Sequence, residues 1–154
     1  MTLENAKDIT TIIGVLIAAI ALIKGVLEYV RQGAQKRAEY FLAMQKRLVE
    51  NETFLNILNL LEFDDPKVTE IPFKHKRELL GLFEEVSIML NSGLIRKSVA
   101  HYMFGYYAVD CWESDAFWRG MDRNSPHWIV FKNFALEMKH VGETLKYRRS
   151  QYRF

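Results

Sequence analysis

Residues 9–23 read Ile-Thr-Thr-Ile-Ile-Gly-Val-Leu-Ile-Ala-Ala-Ile-Ala-Leu-Ile without one charge, and apolar character continues through Lys24, Glu28 and Tyr29 to Val30. As a helix, residues 9–30 would be roughly 33 Å long, close to the ~30 Å hydrocarbon core of a bilayer. Residues 12–23 lack the polar face that a surface or interfacial helix needs. A secretory signal is a poor match, because Glu4 and Asp8 oppose Lys7 before the run and no small-residue cleavage site follows Ile23. A core helix, apolar all round, is the remaining competitor. Length favours a transmembrane anchor made by Ile12, Ile13, Val15, Leu16, Ile17, Ile20, Leu22 and Ile23, with Tyr29 at the interface. Lys24 and Glu28 share a face and either reach the headgroups or partly neutralise each other.

Beyond the anchor the apolar period stays helical. Ala34, Ala38, Phe41, Leu42, Leu48, Val49, Leu55, Leu58 and Leu61 recur at helical spacing, which predicts one long helix over residues 31–61. Pro66 biases Asp65 away from helix, so a loop is expected to Pro72. A second helix is expected over 73–90, with Leu79, Leu82, Phe83, Val86, Met89 and Leu90 inward. Gly93 should provide its left-handed stop, with Leu94 as the hydrophobic contact. A third helix over 95–111 would present Ile95, Val99, Tyr102, Met103, Tyr106 and Val109. A short helical piece follows at 114–118. Ser125-Pro126 reads as cap and first turn of a last helix ending near Tyr147, with Ile129, Val130, Phe134, Met138, Val141 and Leu145 inward. No segment alternates with period two between turn residues, so no sheet is predicted. The fold class is all-α: one N-terminal transmembrane helix continuing into a small cytosolic bundle of about four helices. The organisation is residues 1–30 as anchor, 31–145 as helical domain and 146–154 as a basic, aromatic tail.

Charge adds direction. Arg31, Lys36, Arg37, Lys46 and Arg47 follow the apolar run with only Glu39 and Glu50 among them. Lys and Arg are retained on the cytoplasmic side, which puts Met1 outside and the domain inside a plasma (inner) membrane. The single Cys111 has no partner for an intramolecular disulfide, consistent with a reducing compartment. Lys24, Arg31, Lys36, Arg37, Arg148 and Arg149 are the expected headgroup contacts. The net charge of +2 does not by itself argue for nucleic acid.

Candidate chemistry is sparse. Glu137-x-x-His140 has the spacing used by di-iron bundles, but no second Glu-x-x-His accompanies it. His75, His101 and His127 lack the close spacing of a zinc site. Cys111 lies among Asp110, Glu113 and Asp115, which oppose thiolate formation and so disfavour a nucleophile. Neither a phosphate-cradling glycine loop nor a nucleophile elbow occurs. No catalytic residue, metal ligand or cofactor is assigned. The dense aromatics of residues 102–131 are mostly core. Arg96, Lys97, Tyr106, Tyr107 and Trp112 remain as candidates for a ligand or subunit interface, with an anionic nucleotide as the ligand considered.

The apolar run at 9–23, the basic stretch at 31–47 and Arg77-Glu78-Leu79-Leu80-Gly81-Leu82-Phe83-Glu84-Glu85 together give a layout. It resembles small bacterial membrane-anchored, all-helical proteins of a domain-of-unknown-function family. In layout the chain is also similar to membrane effectors of bacterial antiphage defence, which sense a cyclic nucleotide and perturb the bilayer. The resemblance implies a non-enzymatic, membrane-anchored interaction or sensor module, with the lipid bilayer and further copies of the chain as partners. Gly14 and Ala18 fit the small-x-x-x-small pattern of associating helices. The alternatives are a membrane-bound enzyme and a soluble helical adaptor whose N-terminal helix is buried.

Overall fold

In a computed structural model the backbone is described for residues 3–144 and the side chains for residues 13–144. Ile12, Leu145, Arg148, Arg149 and the tail at 146–154 therefore lie outside the described side chains. All regular structure among the described residues is helical. The chain divides into two compact units, Met1–Lys36 and Arg37–Phe154.

The first unit consists of α1 (Leu3–Glu50) over its N-terminal part. This is a helix long and apolar enough to cross a membrane. Every described side chain from Ile13 to Val30 is exposed; Leu22, for example, retains 70% of its surface. Glu28 is claimed by Arg31 at 2.9 Å and by Gln32 at 3.0 Å rather than by Lys24. The three-residue spacing brings the longer guanidinium within reach, with two donors for one carboxylate.

In the second unit, the C-terminal turns of α1 bury Phe41 and Leu48, and Arg47 pairs with Glu85 at 2.9 Å. The helix predicted to reach Leu61 instead breaks at Asn51. That residue is extended (φ −82°, ψ 108°), and its side-chain oxygen accepts the Phe54 N–H at 3.1 Å. Asparagine rewards this break because its side chain replaces the missing backbone partner of a new helix. The new helix, α2 (Glu52–Glu62), turns Phe54, Ile57, Leu58 and Leu61 inward. Asp64 (φ 48°) ends it, and a 3-10 turn at Pro66–Glu70 occupies the expected loop.

α3 (Phe73–Asn91) carries the predicted inward face, with Leu79, Leu82, Phe83, Val86, Met89 and Leu90 all buried. The left-handed stop at Gly93 is also as read, whereas Leu94, expected as its hydrophobic contact, keeps 41% of its surface exposed. Gly93 has φ +66°, its N–H donates to the Leu90 carbonyl, and the Leu94 N–H donates to the Met89 carbonyl at 2.9 Å. That pair of bonds is the Schellman closure.

The third predicted helix is real but not uniform. α4 (Lys97–Ala100) passes into a π turn at His101–Gly105 and then α5 (Tyr106–Glu113). A π turn closes i→i+5 bonds and shifts the register of everything after it. The buried face is accordingly Val99, Ala100, Phe104, Ala108 and Cys111, while Tyr102 and Tyr106 point outward. Ser114 caps α6 (Asp115–Trp118) by accepting the Phe117 N–H at 3.2 Å.

Ser125-Pro126 starts a 3-10 turn, Pro126–Trp128, that feeds α7 (Ile129–Thr144). The turn shifts the inward face of α7 to Phe131, Phe134, Ala135, Met138 and Val141, and leaves Ile129 about half exposed. Phe83 of α3 packs on Phe131 and Phe134 with ring centroids 5.9 and 6.5 Å apart. Trp118 holds edge contacts with Trp112 and Trp128, and its indole N–H donates to the Cys111 carbonyl at 2.9 Å. The core is a bundle of several helices with α3 and α7 at its centre.

Candidate functional site

The side chains at 73, 77 and 84, together with the gap at Gly81, follow one stripe of α3, since 73, 77, 81 and 84 are successive turns on one face. Facing the stripe, the Pro126–Trp128 turn contributes His127 and Trp128. Between the two lies an open groove of about 390 Å³, lined by Phe73, Arg77, Gly81, Glu84, His127 and Trp128. Ser125 shapes this wall by accepting the His127 backbone N–H at 3.4 Å, and Pro126 presets the turn. Trp128 is buried against Trp118 and meets the Phe73 ring edge-on at 6.4 Å.

Charges in the groove are unlike each other. Arg77 is exposed and makes no ion pair or hydrogen bond among the described residues, though its charge acts on Glu84. Burial pushes the Glu84 carboxyl above the usual carboxylate range, against the opposing effects of the Phe131 backbone N–H and of Arg77. By accepting that N–H, Glu84 also satisfies a donor in the first turn of α7. The lining thus combines a cation, an imidazole, a half-exposed ring and an acceptor, with Arg77 and Glu84 two turns apart along α3.

Behind the same helix, Lys76 is buried, and its amine donates to the Phe117 carbonyl at 2.8 Å while lying 5.4 Å from the Phe117 ring centre. Burial pulls its pKa down. It ties α3 to α6 and does not face the groove residues.

The residues singled out from sequence are held by different neighbours. Lys97 pairs with Glu137 at 2.6 Å, which commits the carboxylate of the Glu-x-x-His pair. Tyr106 stacks edge-on against Tyr107 at 5.6 Å and hydrogen-bonds Asp110. Burial is the main cause that raises the Asp110 carboxyl, opposed by that bond and reinforced by Glu113, Glu62 and Asp64. Trp112 belongs to the aromatic core, with Arg123 and Lys132 lying over its ring at 5.5 and 5.6 Å. Arg96 is exposed just before α4. Cys111 is fully buried, and burial together with Asp110 pushes its thiol far up, the direction of an inert side chain. Among the described residues no three His, Cys, Asp or Glu side chains are grouped to hold a metal ion.

The groove is not legible in the sequence because its walls, at Glu84 and His127, are more than 40 residues apart. The available signal was Gly81, a glycine in mid-helix with no turn to make. No family model, curated protein or solved structure matches this chain. The bacterial resemblance described above therefore stands on layout alone.

Proposed function

We propose that the chain is a non-enzymatic, single-pass membrane-anchored interaction module, with Met1 outside and the helical bundle on the cytoplasmic side. The observation that carries this reading is the exposure of Ile13, Val15, Leu16, Ile17, Ile20, Leu22, Ile23, Val26, Leu27 and Val30 along one helix. Shielding one such side chain from water is worth about 1.5–3 kcal/mol, so a bare stretch of this kind is strongly driven into an apolar medium. A contiguous apolar surface this long marks a membrane or protein contact, and a helix of this length satisfies all its backbone groups internally, as lipid demands.

Orientation draws on the flanking cations. Arg31 is paired with Glu28, whereas Lys24, Lys36 and Arg37 make no ion pair among the described residues and are available to phosphate headgroups. Gly14 and Ala18 keep the small-x-x-x-small spacing that would let a second anchor approach closely.

Carbonate washing of membranes from cells making the full chain tests the anchor: the protein stays in the pellet. Full release into the supernatant overturns the reading. Protease digestion of sealed vesicles of known orientation, with a tag at each end, tests the direction.

A further inference from the structure

Three features of the α3 groove are not required by packing. Gly81 sits in the middle of a helix, where glycine is among the least favourable residues, yet a Cβ added there would meet nothing within 4 Å. The space left by the missing side chain is the groove itself. Arg77 is exposed with no ion pair or hydrogen bond among the described residues. Phe73 keeps 53% of its surface although the apolar wall of Trp128 stands beside it.

Together these define a shape and a polarity. Arg77 and His127 offer donors to an anion, and a guanidinium binds carboxylate or phosphate with two parallel bonds. Phe73 lies one turn before Arg77, at the end of the groove away from Glu84, and with Trp128 bounds that end with aromatic surface. Glu84 lies seven residues beyond Arg77, about 10 Å along the helix axis, and accepts rather than donates while ionised. The volume of about 390 Å³ is in the range of small-molecule sites.

We propose that the groove binds a small ligand in which a flat ring carries an anionic group at one end and a hydrogen-bond donor at the other. The anion sits on Arg77 with His127 from the facing turn, the ring lies flat over the bare backbone at Gly81, and the donor reaches Glu84. This site is independent of whether α1 lies in lipid.

Isothermal titration of the full chain in lipid nanodiscs tests it with four probes. Adenosine 5′-monophosphate and 4-aminobenzoate each carry anion, ring and donor; inorganic phosphate carries the anion alone, and adenosine carries ring and donor without the anion. Saturable one-to-one binding of either complete probe is expected, with phosphate and adenosine much weaker. Binding of the nucleotide only assigns the anion as a phosphate, and of the benzoate only as a carboxylate. Arg77→Gln should weaken binding about tenfold. Gly81→Leu should abolish it while the helical circular dichroism and thermal midpoint are kept; if that variant does not fold, Gly81→Ala should weaken binding several-fold. The proposal is overturned if neither complete probe binds, if phosphate or adenosine binds as tightly, or if a folded Gly81 variant binds as the parent does.

Discussion

The imidazole of His101 stands where a side chain on Gly142 would have to go: a Cβ built on Gly142 meets the ring Nε2 at 3.0 Å. The same ring crowds Gly105 from the other side, with Cδ2 only 2.8 Å from a Cβ built there. One histidine in a π turn is thus accommodated by two glycines, on the turn and on α7. Gly105→Ala forces the ring to move and should destabilise the protein by about 1–2 kcal/mol, the overpacking cost exceeding the helix-propensity gain. Gly142→Ala should cost less. In a His101→Ala background both alanines should become neutral or stabilising. Thermal denaturation of the four combinations for each glycine measures this coupling, and additive effects would remove the steric account.

Gly81 contrasts with both. With nothing within 4 Å of its missing Cβ, Gly81→Ala should stabilise the protein by roughly 0.5–1 kcal/mol, seen as a higher thermal midpoint. A loss of stability would mean that the groove is tighter than described.

His101 also sets a pH dependence. Burial holds its pKa below the ordinary value of about 6.5, and its Nδ1 has no hydrogen-bond partner among the described residues. As pH falls below about 6.5 the unfolded chain takes up a proton that the folded chain refuses, so this contribution is complete above that pH and is lost towards the folded pKa. Glu84 and Asp110, raised by burial, act oppositely and gain stability as pH falls through their raised values. The comparison that isolates His101 is with His101→Leu. Between about pH 7 and pH 5.5 the thermal midpoint of the parent should fall relative to that of the variant.

Asn51 separates α1 from α2 through a single side-chain bond. Asn51→Ala should cost about 1 kcal/mol, and Asn51→Asp or Asn51→Ser should restore most of it, because each supplies an acceptor for the Phe54 N–H. Equal losses for all three in thermal denaturation would deny the capping role.

The anchor makes a prediction by depth. Leu16 and Ile20 lie near the middle of the apolar run, where an arginine costs about 2.5–3.5 kcal/mol of insertion. Leu16→Arg with Ile20→Arg should move the protein from the carbonate-resistant pellet to the supernatant, whereas Tyr29→Arg should leave it in place.

What could be read from the chain was set by how local each signal is. The inward face of α3 and its left-handed stop at Gly93 depend on residues within a few turns of one another, and both are as read. The π turn is different. His101-Tyr102-Met103-Phe104-Gly105 keeps a helical composition, so spacing alone groups Tyr102 and Tyr106 with Ile95 and Val99, and nothing local announces the wider turn. Asn51 was overlooked because Leu48 and Leu55 bridge it at helical spacing. The groove joins Arg77 and Glu84 to His127, a pairing that no period along one helix can announce.

Burial of the sole thiol has a practical consequence. Cys111 has no exposed surface in the folded chain, and its thiolate is suppressed there. Alkylating reagents can reach it only when the bundle opens, so its labelling rate reports the opening free energy directly. With no second cysteine in the sequence to confuse the signal, that clock can be run on the purified protein in a lipid environment, letting every folded variant above be ranked on one scale.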